Sequence, residues 1–371
     1  MSRSLPRAAL VSLAMLLMAA ACGGPDSPAA APTDEGLTAT ESTVEDVLAA
    51  VEGLEAEERR AELMRMAENE EGPVLVYTSF TLMTDILDVL EASLQEATGL
   101  DMEIYRADGE AVRARLVQEA AAGRRDADVI ETAGRMLEQL ATEGLIAAYE
   151  SPHLDELIEG AAHENWDATR LNVYSVAWNT NEVSEDDRPH SYEELADDPW
   201  AGRLTLEPTD YDWFWSVSNH WAEEKGMSEE EIDALWQQIA GNADFVSGHT
   251  STVELVGAGE YSVMASAFAP TVERFNQEGQ AVAWRPPVEP LFATPNAASI
   301  YKHTTRPASS VLFMDWLFSD AMDIFSENEI FVTRADLQNP ILEGLDIRII
   351  DVSDYLPQEE AVMEEYDALA R

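Results

Sequence analysis

Four stretches set polar or aromatic side chains at the ends of apolar runs, where a small ligand can be held. Thr78 and Ser79 follow VLVY. Their hydroxyls, with the free amide groups of a following helix, can receive an anion or carboxylate, or simply cap that helix. Glu131 and Thr132 close DADVIET, where an acid suits a cation or amine unless it is plain surface charge. EPTDYDWFW places Glu207, Asp210, Tyr211 and Trp213 directly after RLTLE. Aromatic faces and a phenol can sandwich a ligand or lie under a cation, and such tryptophans can equally be core. In SGHT, His249 and Thr250 precede a helix and offer a second anion cap, although a lone histidine is often structural. We take Thr78, Ser79, Glu131, Thr132, Tyr211, Trp213, His249 and Thr250 as the ligand-binding candidates.

Nothing in the chain points to catalysis. There is no GxSxG elbow, HExxH zinc site or phosphate loop, and His153, His163, His190, His220, His249 and His303 are scattered. The paired acids of the acidic helices suit solvated faces. Binding without a resident cofactor is therefore the expectation, with any metal left unassigned.

The elements that must position these residues alternate in type. VLVY is a strand. In LMTDILDVLEASLQEATG, Leu82, Ile86, Val89, Leu90 and Leu94 recur at helical spacing until Gly99 stops the run. LDMEIYRADG is a second strand and turn, EAVRARLVQEAAAG a helix ending at Gly123, and DADVIET a third strand. Strands alternating with helices predict parallel sheet and an α/β fold. The long apolar strand Leu171 to Trp178 opens a second α/β unit. It reads as helix at SYEELADD, strand at RLTLE, helix from Asp212, strand at ADFVSG, helix at STVELVGAG and strand at YSVMASAF. WRPPVEPLFATPNAASIYK would cross back, and RPASSVLFMDWLFSDAMDIFS reads as one strongly apolar helix.

The single cysteine, Cys22, stands apart from all of this. Arg3 and Arg7 precede an apolar run from Ala8 to Ala21 that ends in small residues, the order of a secretory signal. The run is short of the ~20 apolar residues that span a bilayer. Ala-Ala-Ala-Cys followed by glycine resembles the lipobox of bacterial lipoproteins, in which the cysteine becomes the N-terminus and carries a diacylglycerol thioether. A second cysteine for a disulfide is absent from the sequence. The Gly-, Pro-, Ala-, Ser- and Thr-rich stretch that follows reads as a flexible tether.

Charge narrows the partners. The sequence has 22 basic and 72 acidic residues, a net charge of -50, and removing residues 1–21 would take away two arginines and no acid. No nucleic acid or anionic membrane surface attracts such a chain. Of its basic residues only Lys225 and Lys302 are lysines, and the self-repulsion suits concentrated salt, where the Debye length is ~3 Å at 1 M.

Taken in order, EERRAELMRMAENEEGPVLVYTSF, YRADGEAVRARLVQEAAAGRRDADVIET, VYSVAWNTNEV and SGHTSTVELVGAGEYSV resemble extracellular solute-binding proteins of bacterial ABC importers, particularly the ferric-iron-type branch. The likeness runs from about Glu57 to the end. It implies a two-lobed type II periplasmic-binding-protein clamshell with β-strand hinges that closes over a small ligand and delivers it to a membrane permease. Open α/β sheets bind ligands at the carboxyl ends of their strands, in agreement.

The expected organisation is a signal peptide at 1–21, a tether at 22–42 and a helical segment at 43–71. Lobe one covers 72–175 plus about 293–335, and lobe two 176–292 plus about 336–371. Iron-binding members of the family carry adjacent tyrosines after the strand read here as YSVMASAF; this chain has Phe268, Ala269 and Pro270 there. Hard ferric iron wants oxygen donors, so the departure favours an oxyanion or small organic ion. Ferric iron, and ligand sensing for a signalling receptor, are the alternatives. The expected protein is an extracytoplasmic monomer, lipid-anchored to the cell membrane through acylated Cys22 and partnered by an ABC permease.

Overall fold

The structure, a computed structural model, describes residues 42–84 and 86–371. The expected signal peptide, Cys22 and nearly all of the expected tether lie outside the described residues. Two helices open the described chain, α1 (Val44–Val51) and α2 (Ala56–Ala67). Thr43 and Asp46 form a reciprocal capping box that satisfies free amides at the start of α1. Next come β1 (Val74–Thr78), α3 (Leu87–Thr98), β2 (Met102–Arg106), α4 (Gly109–Ala121), β3 (Val129–Ala133), α5 (Gly134–Thr142) and β4 (Ile146–Ala147). Gly99 ends α3 in the left-handed conformation, at φ 75°. The start of α3 differs from expectation: Thr81–Thr84 is a 3-10 turn, and Val89 is exposed.

The long strand β5 (Asp167–Asn179) leads to β6 (Leu204–Leu206), α6 (Tyr211–Glu223), α7 (Glu229–Asn242), β7 (Ala243–Phe245), α8 (His249–Ala258), β8 (Val263–Phe268), α9 (Ala269–Gln277) and β9 (Val282–Ala283). SYEELADD yields only a 3-10 turn at Glu193–Ala196. The return strand β10 (Leu291–Tyr301) is followed by α10 (Pro307–Leu317) and α11 (Asp320–Glu327), so the expected single apolar helix breaks at Phe318 and Ser319. The chain finishes with β11 (Ile347–Ile349), α12 (Val352–Tyr355) and α13 (Glu359–Leu369). No helix among the described residues is long and apolar enough to cross a membrane.

Strand order β2-β1-β3-β10-β5-β8-β6-β7 explains the two lobes. β1 runs parallel to β2 and β3 on one side, and β6 runs parallel to β7 and β8 on the other. Between them lie β10 and β5, antiparallel to each other. The later part of β10 pairs with β3, while the later part of β5 pairs with β8. Each central strand therefore belongs to both halves of the sheet, which makes the pair a hinge.

Side chains alternate across each half, as a strand's two-residue period requires. Val74 and Val76 face a core with α3, α10 and α11, whereas Tyr77 faces α4 and α5. In the second half, Val263 and Ala265 face the aromatic core of α6 and α7 and Met264 faces α8 and α9, until an irregularity in the β5–β8 pairing puts Ala267 on the α8 and α9 side as well. α2 packs on α10, where Arg59 Nε meets the Asp315 carboxylate at 2.7 Å between two buried side chains. The C-terminal segment returns to the second lobe: Tyr355, Val362 and Tyr366 join its aromatic core.

Candidate functional site

The end of β1 meets the end of β3 through side chains that support one another. The Thr78 hydroxyl donates to the Glu131 carboxylate, and the Phe80 amide donates to Thr78 Oγ1 at 2.9 Å. Ser79 and Thr132 share a hydroxyl–hydroxyl bond of 2.9 Å. Glu131 is buried, and its other oxygen accepts from Arg170 Nη1 of β5. The Arg170 guanidinium also lies over the Phe80 ring, 3.8 Å from its centroid. Glu131 is thus a buried counter-charge for Arg170 and is not offered to a ligand cation, which corrects one sequence expectation. Thr78 and Thr132 are fully buried and hold this cluster in place; of the four candidates here, Ser79 reaches the cleft.

On the other lobe, Gly248 turns the chain into α8 at φ +95°, and a Cβ there would stand 2.7 Å from Ser251 Oγ. The first intrahelical bond at this end is Thr252 N to Gly248 O, so the amides of His249, Thr250 and Ser251 have no partner within the helix. His249 lies flat on Phe268, with centroids 3.7 Å apart. Its Nε2 donates to the two oxygens of Asp210 at 2.9 and 3.1 Å. Burial pushes the Asp210 carboxyl up, only partly offset by His249, to about 6. Burial alone would lower His249, but the Asp210 carboxylate raises it overall. Glu207 is spent on the turn below: it accepts from Thr209 N and Oγ1, both at 2.6 Å, and from Gly248 N at 3.2 Å.

Between the walls lies a cleft of about 700 Å³. Ser79, Phe80, Thr81 and the 328–331 loop line one side, while His249, Thr250, Phe268 and Arg274 line the other. Its floor is the hinge, at Arg170, Leu171 and Asn172 of β5 and Asn296 of β10. Glu207, Asp210 and His249 place one possible metal-ligating atom each within 4.8 Å of one another. Those atoms are already hydrogen-bonded among themselves or to the turn.

Tyr211 and Trp213 are not part of this cleft. Trp213 has no exposed surface; it packs edge-on against Tyr192 and Trp236 inside the second lobe. Tyr211 turns toward α13, with its hydroxyl donating to Asp367 Oδ1 at 3.2 Å and its ring edge-on to Tyr366. The first turn of α6 points both residues away from the strand end that seemed to present them. Arg170 and Asn296 went unrecognised; Arg170 is the one basic residue of β5 and Asn296 the one amide of β10. Phe268, marked only as a missing phenolate, is a cleft-lining ring.

A profile described as bacterial extracellular solute-binding protein matches residues 127–356. The chain belongs to this family. Membership makes it an extracytoplasmic solute-binding protein, and its mixed α/β sheet is the type II periplasmic-binding-protein fold. Iron-bound HitA from Pseudomonas aeruginosa superposes with a TM-score of 0.67 at 19% identity, covering 81% of this chain and 100% of that one. AfuA from Actinobacillus pleuropneumoniae, with fructose-6-phosphate bound, gives 0.67 at 17%, covering 81% and 99%. Trichodesmium IdiA (FutA), in complex with iron and citrate, gives 0.64 at 17%, covering 80% and 99%. No curated protein sequence matches the solute-binding chain.

Proposed function

We propose that this solute-binding protein captures a small oxyanion or organic anion in the interlobe cleft and delivers it to an ABC permease, tethered to the membrane by a lipid on Cys22. The observation that carries the ligand class is the α8 N-terminus. Residues 249–251, whose amides have no partner within the helix, line the cleft, and Thr250 is exposed there. Helix N-termini favour negative charge, and the guanidinium groups of Arg170 and Arg274 also line the site. Glu254 and Glu329 line the same cleft, so the case for an anion rests on the α8 amides and on Arg170 and Arg274 rather than on a net positive lining. Closure about β5 and β10 would bring Ser79 and Thr81 toward α8. A lipid anchor suits so acidic a protein, because charge cannot hold it at an anionic bilayer; two or more acyl chains, at ~0.8 kcal/mol per buried methylene, can.

A second reading, ferric iron, rests on the proximity of Glu207, Asp210 and His249. Native mass spectrometry of freshly purified protein, followed by thermal-shift titration, separates the two. Bound anions or anion-dependent stabilisation support the first reading; a ferric complex with no response to anions overturns it. A ligand at 100 times its dissociation constant stabilises by ~2.7 kcal/mol, well within detection. Delivery is tested by reconstitution with a candidate permease: ligand-loaded protein should stimulate ATP hydrolysis, and failure to do so removes the transport claim.

A further inference from the structure

Two donors on the hinge stand out from the walls of the cleft. Asn296 of β10 and Arg170 of β5 are register partners, and the pairing slips between Asn296 and Ala297. Irregularities of this kind re-aim side chains and recur beside functional sites. Asn296 is 6% exposed and lines the cleft, yet its Nδ2 has no hydrogen-bond partner among the described residues. Buried donors in folded proteins are nearly always paired, so an unpaired one that borders a ligand cleft marks where an acceptor belongs. Its neighbour Arg170 is held by Glu131 at Nη1 and by the Phe80 ring at 3.8 Å. That grip fixes the guanidinium before any ligand arrives.

We infer that Asn296 and Arg170 form one oxyanion clamp mounted on the two hinge strands. A carboxylate or phosphoryl oxygen of the ligand accepts from Asn296 Nδ2 and from the Arg170 guanidinium, a charge-assisted pair of bonds. The clamp rests on the oxyanion reading of the cleft and adds a location to it. Because β5 and β10 each belong to both lobes, a ligand held here binds to the strands about which the lobes turn. Asn296 thereby becomes a specificity residue: a ligand without an acceptor at this point leaves its amide buried and unpaired.

The test is isothermal titration of the mature chain with inorganic phosphate, sulfate, acetate and citrate, and with tetramethylammonium as the cationic control. Wild type should bind at least one of the anions. Asn296→Ala should weaken that binding roughly tenfold to hundredfold, the range for a hydrogen bond to a charged group. Asn296→Asp, nearly equal in size, should weaken it further because it replaces a donor with a like charge. Thermal melts accompany each titration, and Asn296→Ser replaces Asn296→Asp if the latter fails to fold. Unchanged anion affinity in the Asn296 variants overturns the clamp while leaving the oxyanion cleft standing. A wild type that binds none of the anions overturns both.

Discussion

Asp167 opens the hinge strand β5 with a carboxyl that has no ion-pair partner among the described residues. The residue is 1% exposed, and the one hydrogen bond that steadies its charge comes from His163 N at 3.2 Å. Burial pushes its carboxyl up to about 7, against an ordinary value of 3.8. Between about pH 4 and pH 7 the folded chain therefore keeps a proton that the unfolded chain has released. Stability falls as pH rises through that window and levels off above it. At ~1.4 kcal/mol for each tenfold change in proton affinity, the full displacement corresponds to roughly 4 kcal/mol. Local relaxation and water entry should leave about half, so ~2 kcal/mol is the working figure.

Asp167→Asn keeps the acceptor for His163 N and removes the ionisation. It should raise the melting temperature at pH 8 by about 4 °C, taking ~2 °C per kcal/mol for a body of this size. At pH 4.5, where wild-type Asp167 is already protonated in the fold, the advantage should vanish. The assay is calorimetry across pH 4.5 to 8 in molar salt, which screens the background of surface acids. An Asn variant no more stable than wild type at pH 8, or stabilised equally at both ends, would refute the reasoning.

Two further outcomes follow from the same structure. Glu131→Ala strands the buried Arg170 guanidinium and should cost about 3 kcal/mol in urea unfolding, the low end for a broken buried pair because Arg170 borders the cleft. The double change Glu131→Leu with Arg170→Met should recover most of that loss, and no recovery would mean that the pair is not what holds this corner. Trp213→Ala should lower stability by ~3–5 kcal/mol through the cavity it leaves while sparing ligand affinity in the folded fraction. Lost affinity at unchanged stability would return Trp213 to the binding site.

The contrast between Trp213 and His249 shows which signals in the sequence could be trusted. Both follow a strand end, and both were read as site residues on that ground. Yet Trp213, Val217 and Trp221 recur at four-residue spacing, and all three are fully buried in α6. That periodicity was visible in the sequence and outweighs position after a strand. His249 too has buried apolar residues at helical spacing, Val253 and Val256, so what sets it apart is its place at the opening of α8, after a glycine at φ +95°. Alternation of strands and helices, and stops such as Gly99, were legible for the same reason: they are local patterns.

Arg170, Glu131 and Asn296 were not legible, because their meaning is set by pairing between distant segments. Glu131 looked like an exposed acid awaiting a cation until strand order placed β3, β10 and β5 side by side. Arg170 then became its partner, with the two side chains almost wholly out of water. Asn296 sits on the strand between them, opposite Ala133 on one side and Arg170 on the other. A charged or amide residue inside an apolar strand is costly unless something answers it. For Glu131 and Arg170 the answer is within the chain, so they support the fold and aim one donor. For Asn296 Nδ2 no answer is present among the described residues, and its place in the cleft assigns that role to the solute.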